Sequence, residues 1–284
     1  MIQNVKSSLM PFSRLGKVMP HDQRLEKILR SGIIRIGYAN DKPFSYKESM
    51  SKAVTGESWE IAKEILGRMG VRTIDGVETD FWALIPRLRT GQFDMIASGV
   101  FITQQRCKEI LFSYPTYKNR EGLLVRHGNP LGLHTYQDLV RHPSAKVAVV
   151  YGAVASTYIR SMIATSRILP FSDVEKSVQA LVTGEADAFM SSRITLNTFL
   201  KDRGFPVEMV ATFEGLLVNG RPVEDYGGFG FRYEDRNLKD AFNAHLRPFI
   251  GSEAHVDLVR PFGLFPEDFP REPLPFEVQR MLGL

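Results

Sequence analysis

The chain has 284 residues, a net charge of +4 at neutral pH, 43% hydrophobic and 24% charged residues, and one cysteine. This length suits two medium domains, and the composition is that of an ordinary globular chain, which excludes fibrous and wholly disordered classes. The basic residues are scattered rather than blocked, so nucleic acid is not an expected partner, and Cys107 alone excludes an intramolecular disulfide.

Residues 1–23 carry Pro11, Gly16 and Pro20 without a sustained period and read as a loose arm or leader. No apolar run approaches the about 18 to 20 residues of a membrane helix. The start also lacks the uninterrupted apolar core and small-residue cleavage site of an export signal. Two locations stay open: periplasmic or extracellular if a signal has been removed, cytoplasmic if the given start is native.

A helix is expected over 24–30, ended by Gly32, followed by an alternating, β-rich strand over 33–39. Pro43 stops the strand, so Asp41 and Phe44 sit on a loop at its carboxyl end. Ser58 caps a helix over 58–69 that Gly70 closes, and a short strand covers 71–77. A helix over 81–89, a turn at Gly91 and a buried strand over 93–98 lead to a polar loop carrying Phe101, Thr103 and Arg106. Before that loop the Ser98-Gly99 pair permits close approach to the backbone. The β-α-β-α-β order favours a mainly parallel sheet, in which ligands collect at the carboxyl ends of strands.

From Glu121 the pattern restarts, with a strand over 123–125, a turn at Asn129-Pro130, a capped helix over 135–140 and a buried strand over 146–150. A small-residue loop over 151–156 opens a helix over 157–163, whose free amides suit an anion or a carbonyl. Leu88-Arg89-Thr90-Gly91-Gln92-Phe93-Asp94 with Ser98 is echoed at the same spacing by Leu181-Val182-Thr183-Gly184-Glu185-Ala186-Asp187 with Ser191. Two similarly built lobes follow from this echo, and Asp94 and Asp187 are then turn formers rather than catalytic groups. Further strands are expected over 205–212 and 226–232, with a connection over 218–224 between them. A helix over 237–250 and a proline-rich surface tail ending in a short helix over 276–282 complete the chain.

Taken together, Ile34-Arg35-Ile36-Gly37 to Pro43-Phe44, Leu84-Ile85-Pro86, Asp94 to Ser98-Gly99, Ile102-Thr103 to Arg106, and Phe112-Ser113 with Pro115 resemble the family 3 solute-binding proteins of ABC importers. The similarity spans roughly residues 24 to 265. Asn129-Pro130-Leu131-Gly132-Leu133, Phe101, Arg106-Cys107 and Pro261-Phe262-Gly263 look most like the ectoine and hydroxyectoine binders of that family. The resemblance implies an α/β, two-lobed periplasmic-binding-protein-like type II fold with a two-strand hinge. One lobe would comprise residues 24–119 with 225–265, the other 120–224, and residues 266–284 a tail.

It further implies an arginine at Arg106 forking onto a ligand carboxylate, with Thr103 and nearby amides completing the anion site. Phe44, Phe81 and Phe101 would surround a delocalised cation that Asp41 counters. Phe44 and Phe81 have an alternative reading as ordinary core aromatics, and Arg106 one as a structural ion pair. Trp82, Ser98, Gly99, Tyr151, Gly152, Ala153, Val154, Ser191 and Ser192 complete the expected lining. Amino-acid binders of the family usually have Thr or Ser where Ala153 and Val154 stand, and an Asp near Ser192, which argues against a generic α-amino-acid ligand.

The implied protein is a monomer without cofactor, metal or catalytic residue, binding a small zwitterion and delivering it to an ABC transporter permease. The alternatives are a polar or basic amino-acid binder, a solute sensor, and a cyclohexadienyl dehydratase-like enzyme. The enzyme would need a general acid or base in the cleft, and the expected cleft loops carry neither Glu nor His.

Overall fold

The computed structural model describes residues 23–202, 204–211, 213, 215–218 and 221–284, so the arm expected over 1–23 lies outside the described residues except for Gln23. Helix α1 (Gln23–Ser31) buries Ile28 and gives way at Gly32, whose φ of 69° suits glycine, to strand β1 (Ile33–Tyr38). A small hairpin, β2 (Tyr46–Lys47) and β3 (Val54–Thr55), stands before α2 (Glu57–Arg68). Ser58 does not cap this helix: Gly56 holds the cap position without a side-chain bond, and the Ser58 hydroxyl donates to Glu57 at 2.6 Å. Strand β4 (Thr73–Glu78) follows, then a 3-10 turn at Phe81–Ala83 leading into α3 (Leu84–Arg89). Pro86 falls in the first turn of α3, where a missing N–H is tolerated. The apolar run after it pairs only as β5 (Met95–Ile96).

Strands β6 (Leu111–Phe112) and β7 (Tyr117–Asn119) end the first passage. The second part comprises β8 (Glu121–Arg126), α4 (Tyr136–Arg141), β9 (Val147–Val150), α5 (Val154–Arg160) and β10 (Ile168–Phe171). It continues through α6 (Val174–Thr183), β11 (Ala188–Ser192), α7 (Arg193–Asp202) and β12 (Val207–Met209). At the segment expected as a plain connection, β13 (Leu217–Val218) and β14 (Arg221–Pro222) pair antiparallel. The return strand is split into β15 (Asp225–Gly227) and β16 (Gly230–Phe231). Helices α8 (Arg236–Phe249), α9 (Glu253–Val259) and α10 (Phe276–Leu282) close the chain.

Two five-stranded sheets result, with orders β4-β1-β5-β16-β6 and β10-β9-β11-β8-β12. In each, β1 or β9 is flanked by two parallel neighbours, and one strand, β16 or β8, runs antiparallel to the strands on either side of it. The chain is therefore a mixed α/β protein of two lobes. Antiparallel β7 and β15 pair Asn119 with Asp225 and Tyr117 with Gly227, forming the two strands that pass between the lobes.

The helices cover both faces of the second sheet, and the strands alternate accordingly. Leu123, Val125, Val147, Val149, Ala188 and Met190 enter one core cluster; Leu124, Ala148, Val150 and Phe189 enter the other. The first core gathers Ile34, Ile36, Phe93, Phe229, Phe231 and Phe242, and the tail joins it through Leu274 and Val278.

The echoed aspartates do the same work in both lobes. Asp94 accepts the Arg35 amide at 2.9 Å and Asp187 accepts the Lys146 amide at 3.0 Å, each tying the turn before one strand to the start of its parallel neighbour. Asp94 also pairs with Arg24, Arg35 and Arg232, and Asp187 with Arg126. Both are structural, as the repeat predicts.

Candidate functional site

A cleft of about 840 Å³ opens between the lobes. The first lobe contributes the carboxyl end of β1 with its loop (Asp41, Phe44), Phe81, and the loop after β5 (Gly99, Phe101). The second contributes the start of β8 (Glu121), the end of β9 and the start of α5 (Val150, Ala153, Val154), and the end of β11 (Ser191, Ser192). Strand ends converge there because β1, β5, β9 and β11 run parallel within their sheets and deliver their following loops to one side.

Asp41 is half-buried and has no cation partner among the described residues; burial alone pushes its carboxyl up to about 7. The three phenylalanines differ in setting. Phe44 is 2% exposed and stacks on Tyr117 with ring centroids 4.7 Å apart, and Phe101 meets the same Tyr117 edge-on at 5.9 Å. Phe81 already faces the protein's own cation, with the Arg106 guanidinium carbon 5.7 Å from its ring centroid. Phe44 therefore serves core and cleft together. The small residue at position 99 is explained by it: a Cβ on Gly99 would stand 2.5 Å from the Phe44 ring, and Gly99 itself has a φ of 56°.

Arg106 lines a smaller cavity of about 300 Å³ behind Phe81, with Trp82, Tyr151, Gly152, Ser156 and Arg160. It begins a 3-10 turn, Arg106–Lys108, and its guanidinium donates to the carbonyl oxygens of Phe101 at 2.8 Å and Gly152 at 2.9 Å, one in each lobe. Burial lowers its pKa to about 10. A ligand carboxylate reaching this fork has to displace the Gly152 carbonyl. Beside it, the Trp82 and Tyr151 rings meet edge-on across the lobes at 6.2 Å.

Ser98 and Thr103 line neither cavity. The Ser98 hydroxyl accepts the Ala39 amide and the Ser45 hydroxyl, both at 2.9 Å, tying β5 to the end of β1. The Thr103 hydroxyl accepts the Arg106 amide at 3.2 Å and shapes the turn that aims Arg106. In the second lobe α5 begins at Val154, three residues earlier than expected, and Ala153 caps it without a side-chain bond. Ser192 is committed to Thr195, donating to its hydroxyl at 2.8 Å and accepting its amide at 3.0 Å.

Sequence reasoning missed four groups. Glu121, 5% exposed, lines the cleft with Glu78 and Glu175, so the expectation that the cleft carries no Glu is corrected: they come from the start of β8, the end of β4 and the start of α6 rather than from the expected loops. Asp225, 6% exposed on β15, accepts the Tyr158 hydroxyl at 2.7 Å. Glu57 is fully buried, and burial pushes it up to about 7. Tyr117, also fully buried, spaces Phe44 from Phe101. A charged residue opening an apolar strand was the available signal for Glu121. Cys107 is half-buried, and burial pushes its thiol up to about 11, which leaves it unreactive.

The model of the bacterial extracellular solute-binding proteins, family 3, matches residues 34–258. A probable amino-acid ABC transporter periplasmic-binding protein of Sinorhizobium fredii is 30% identical over 246 residues, covering 86% of this chain and 81% of the relative. A cyclohexadienyl dehydratase of Pseudomonas aeruginosa is 25% identical over 180 residues, 63% of this chain and 66% of the enzyme. Among solved structures, EhuB in complex with hydroxyectoine superposes with a TM-score of 0.79 at 27% identity, over 87% of this chain and 94% of that one.

Proposed function

The chain belongs to the bacterial extracellular solute-binding proteins, family 3, and from that premise we propose that it serves an ABC importer by binding a small zwitterion with a cationic end, of the ectoine or hydroxyectoine kind. The observation that carries this reading is the Asp41 carboxyl, without a cation partner among the described residues, set among Phe44, Phe81 and Phe101 around one interlobe cleft. Each ring face over a desolvated cation contributes about 0.5 to 2 kcal/mol, and Asp41 supplies the countercharge. Arg106 takes the carboxylate in exchange for its bond to Gly152. Ligand capture then competes with a lobe-bridging contact inside the protein. The likeness to a hydroxyectoine complex supports this reading, as does the absence of an acid at Ser192.

The lobe boundaries belong at the β7–β15 pair, with residues 24–119 and 225–265 on one side and 120–224 on the other. Delivery to a permease places the working protein in the periplasm or outside the cell. The test is a thermal-shift panel of ectoine, hydroxyectoine, betaines, proline and basic amino acids. A rise in midpoint largest for ectoine and hydroxyectoine, whose cation is delocalised, is expected, and no response to any zwitterion sinks the reading.

One observation favours an enzyme as the second reading. Glu121 is a cleft carboxyl that burial raises well above its ordinary value, the character of a general acid, and a dehydratase is among the relatives. Turnover of prephenate or arogenate would promote it; the binding-protein reading expects none.

A further inference from the structure

Glu121 stands first in β8, directly opposite Ser192 of β11, so both side chains leave the same face of the second sheet and both line the cleft. The Glu121 side chain is almost completely buried, and its Oε2 atom has no hydrogen-bond partner among the described residues. Ser192 gives it no donor, because that hydroxyl points its proton at Thr195. The ionisable groups acting around it are Asp225 from β15, Tyr136 from α4 and Tyr158 from α5, all acidic, and Tyr158 is committed to Asp225. No ammonium or guanidinium faces it among the described residues. An orphaned carboxyl oxygen in a cleft wall is unfavourable unless a partner arrives from outside.

We propose that Glu121 is a specificity-determining residue that receives an N–H group of the ligand's cation, so that the cleft selects ammonium, guanidinium or protonated-amidine ligands over quaternary ammonium ligands. This rests on the reading of the cleft as a cation site and deepens it. Phenylalanine faces and the Asp41 charge attract any cation, N-methylated or not. A lone carboxyl oxygen instead needs a hydrogen-bond donor, which a quaternary nitrogen lacks. Asp41 enters from the first lobe and Glu121 from the strand just beyond the hinge, so the selecting contact lies opposite the attracting one.

The experiment is titration calorimetry of hydroxyectoine, L-arginine and glycine betaine against the native chain, Glu121→Gln and Phe101→Leu. Native protein should bind an N–H cation at least about tenfold tighter than glycine betaine, and Glu121→Gln should remove about tenfold or more of that preference. Thermal midpoints without ligand show whether the isosteric variant folds, and the native-chain comparison does not depend on it. Equal native affinities for N–H and quaternary probes overturn the proposal. So does a Glu121→Gln variant that folds and keeps the native preference, or one that weakens both probe classes alike. If Phe101→Leu weakens binding while Glu121→Gln does not, the cation-site reading stands and the role of Glu121 falls. If the native chain binds none of the three, both fall together.

Discussion

The two lobes are built on one strand order and pinned by the same aspartate device, yet they face the cleft with different chemistry. From the first come the acids Asp41, Glu78 and Asp80, three phenylalanines and, behind Phe81, an arginine; from the second come Ala153, Val154, Ser191, Ser192 and the acids Glu121, Asp173 and Glu175. The duplication dictates where loops emerge, because parallel strands deliver their carboxyl ends to one side. It leaves the loop residues free. Aromatic faces are thus concentrated in one wall and small side chains in the other.

The pinning aspartates offer the sharpest break of that symmetry. Asp94 has a side chain 3% exposed among three arginines, whereas Asp187 is 25% exposed beside one. Asp94→Ala removes the acceptor shared by one buried guanidinium, Arg232, and two partly exposed ones, Arg24 and Arg35, and should destabilise by about 3 kcal/mol. Asp187→Ala should cost about 1 kcal/mol, both read by chemical denaturation. Equal losses would mean that the two turns are equivalent in energy as well as in shape.

The first lobe also holds Glu57, whose folded pKa of about 7 stands above its ordinary 4.5. An acid of this kind holds its proton more tightly when folded, so its contribution to stability is present at low pH and is lost as pH rises from 4.5 to about 7. Glu57→Gln should therefore gain on the native chain by roughly 3 kcal/mol between pH 5 and pH 8. A constant difference across that window would show that Glu57 ionises normally.

In the cleft, Phe101→Leu keeps most of the volume but removes the ring face. It should weaken a cationic zwitterion by about 1 to 2 kcal/mol and, because Phe101 is buried against Tyr117, cost about 1 kcal/mol of stability, whereas Ser191→Ala in the opposite wall should change affinity by less than about twofold. An effect between those two is expected at the lobe edge. Trp82→Ala removes the contact with Tyr151, and by loosening the lobes against each other should weaken apparent affinity by about two- to fivefold.

The fold was legible wherever a periodic pattern was long: α1, β1, α8 and α10 fall within about two residues of expectation, and the Leu88 and Leu181 echo foretold the matched sheets. Two-residue strands such as β2, β3 and β6 have no period to read, and Ser58 misled because a glycine at position 56 could start the helix unaided. The aromatic and acidic wall of the cleft was legible through family resemblance. What the sequence did not reveal was pairing at a distance: that the Gly152 carbonyl enters the Arg106 fork, that Gly99 makes room for Phe44, and that Glu121 reaches the cleft from a strand. The Gly99 contact joins segments distant in sequence within one lobe, and the other two depend on where the second lobe sits; no local pattern encodes either.

Titration calorimetry of the native chain with hydroxyectoine, L-arginine and L-glutamate tests the central claim most directly. Saturable one-site binding of a cationic zwitterion, abolished or weakened at least about tenfold by Asp41→Asn, with no heat from L-glutamate, is the predicted result. Binding of L-glutamate with both cationic probes silent, or silence from all three, would contradict the account.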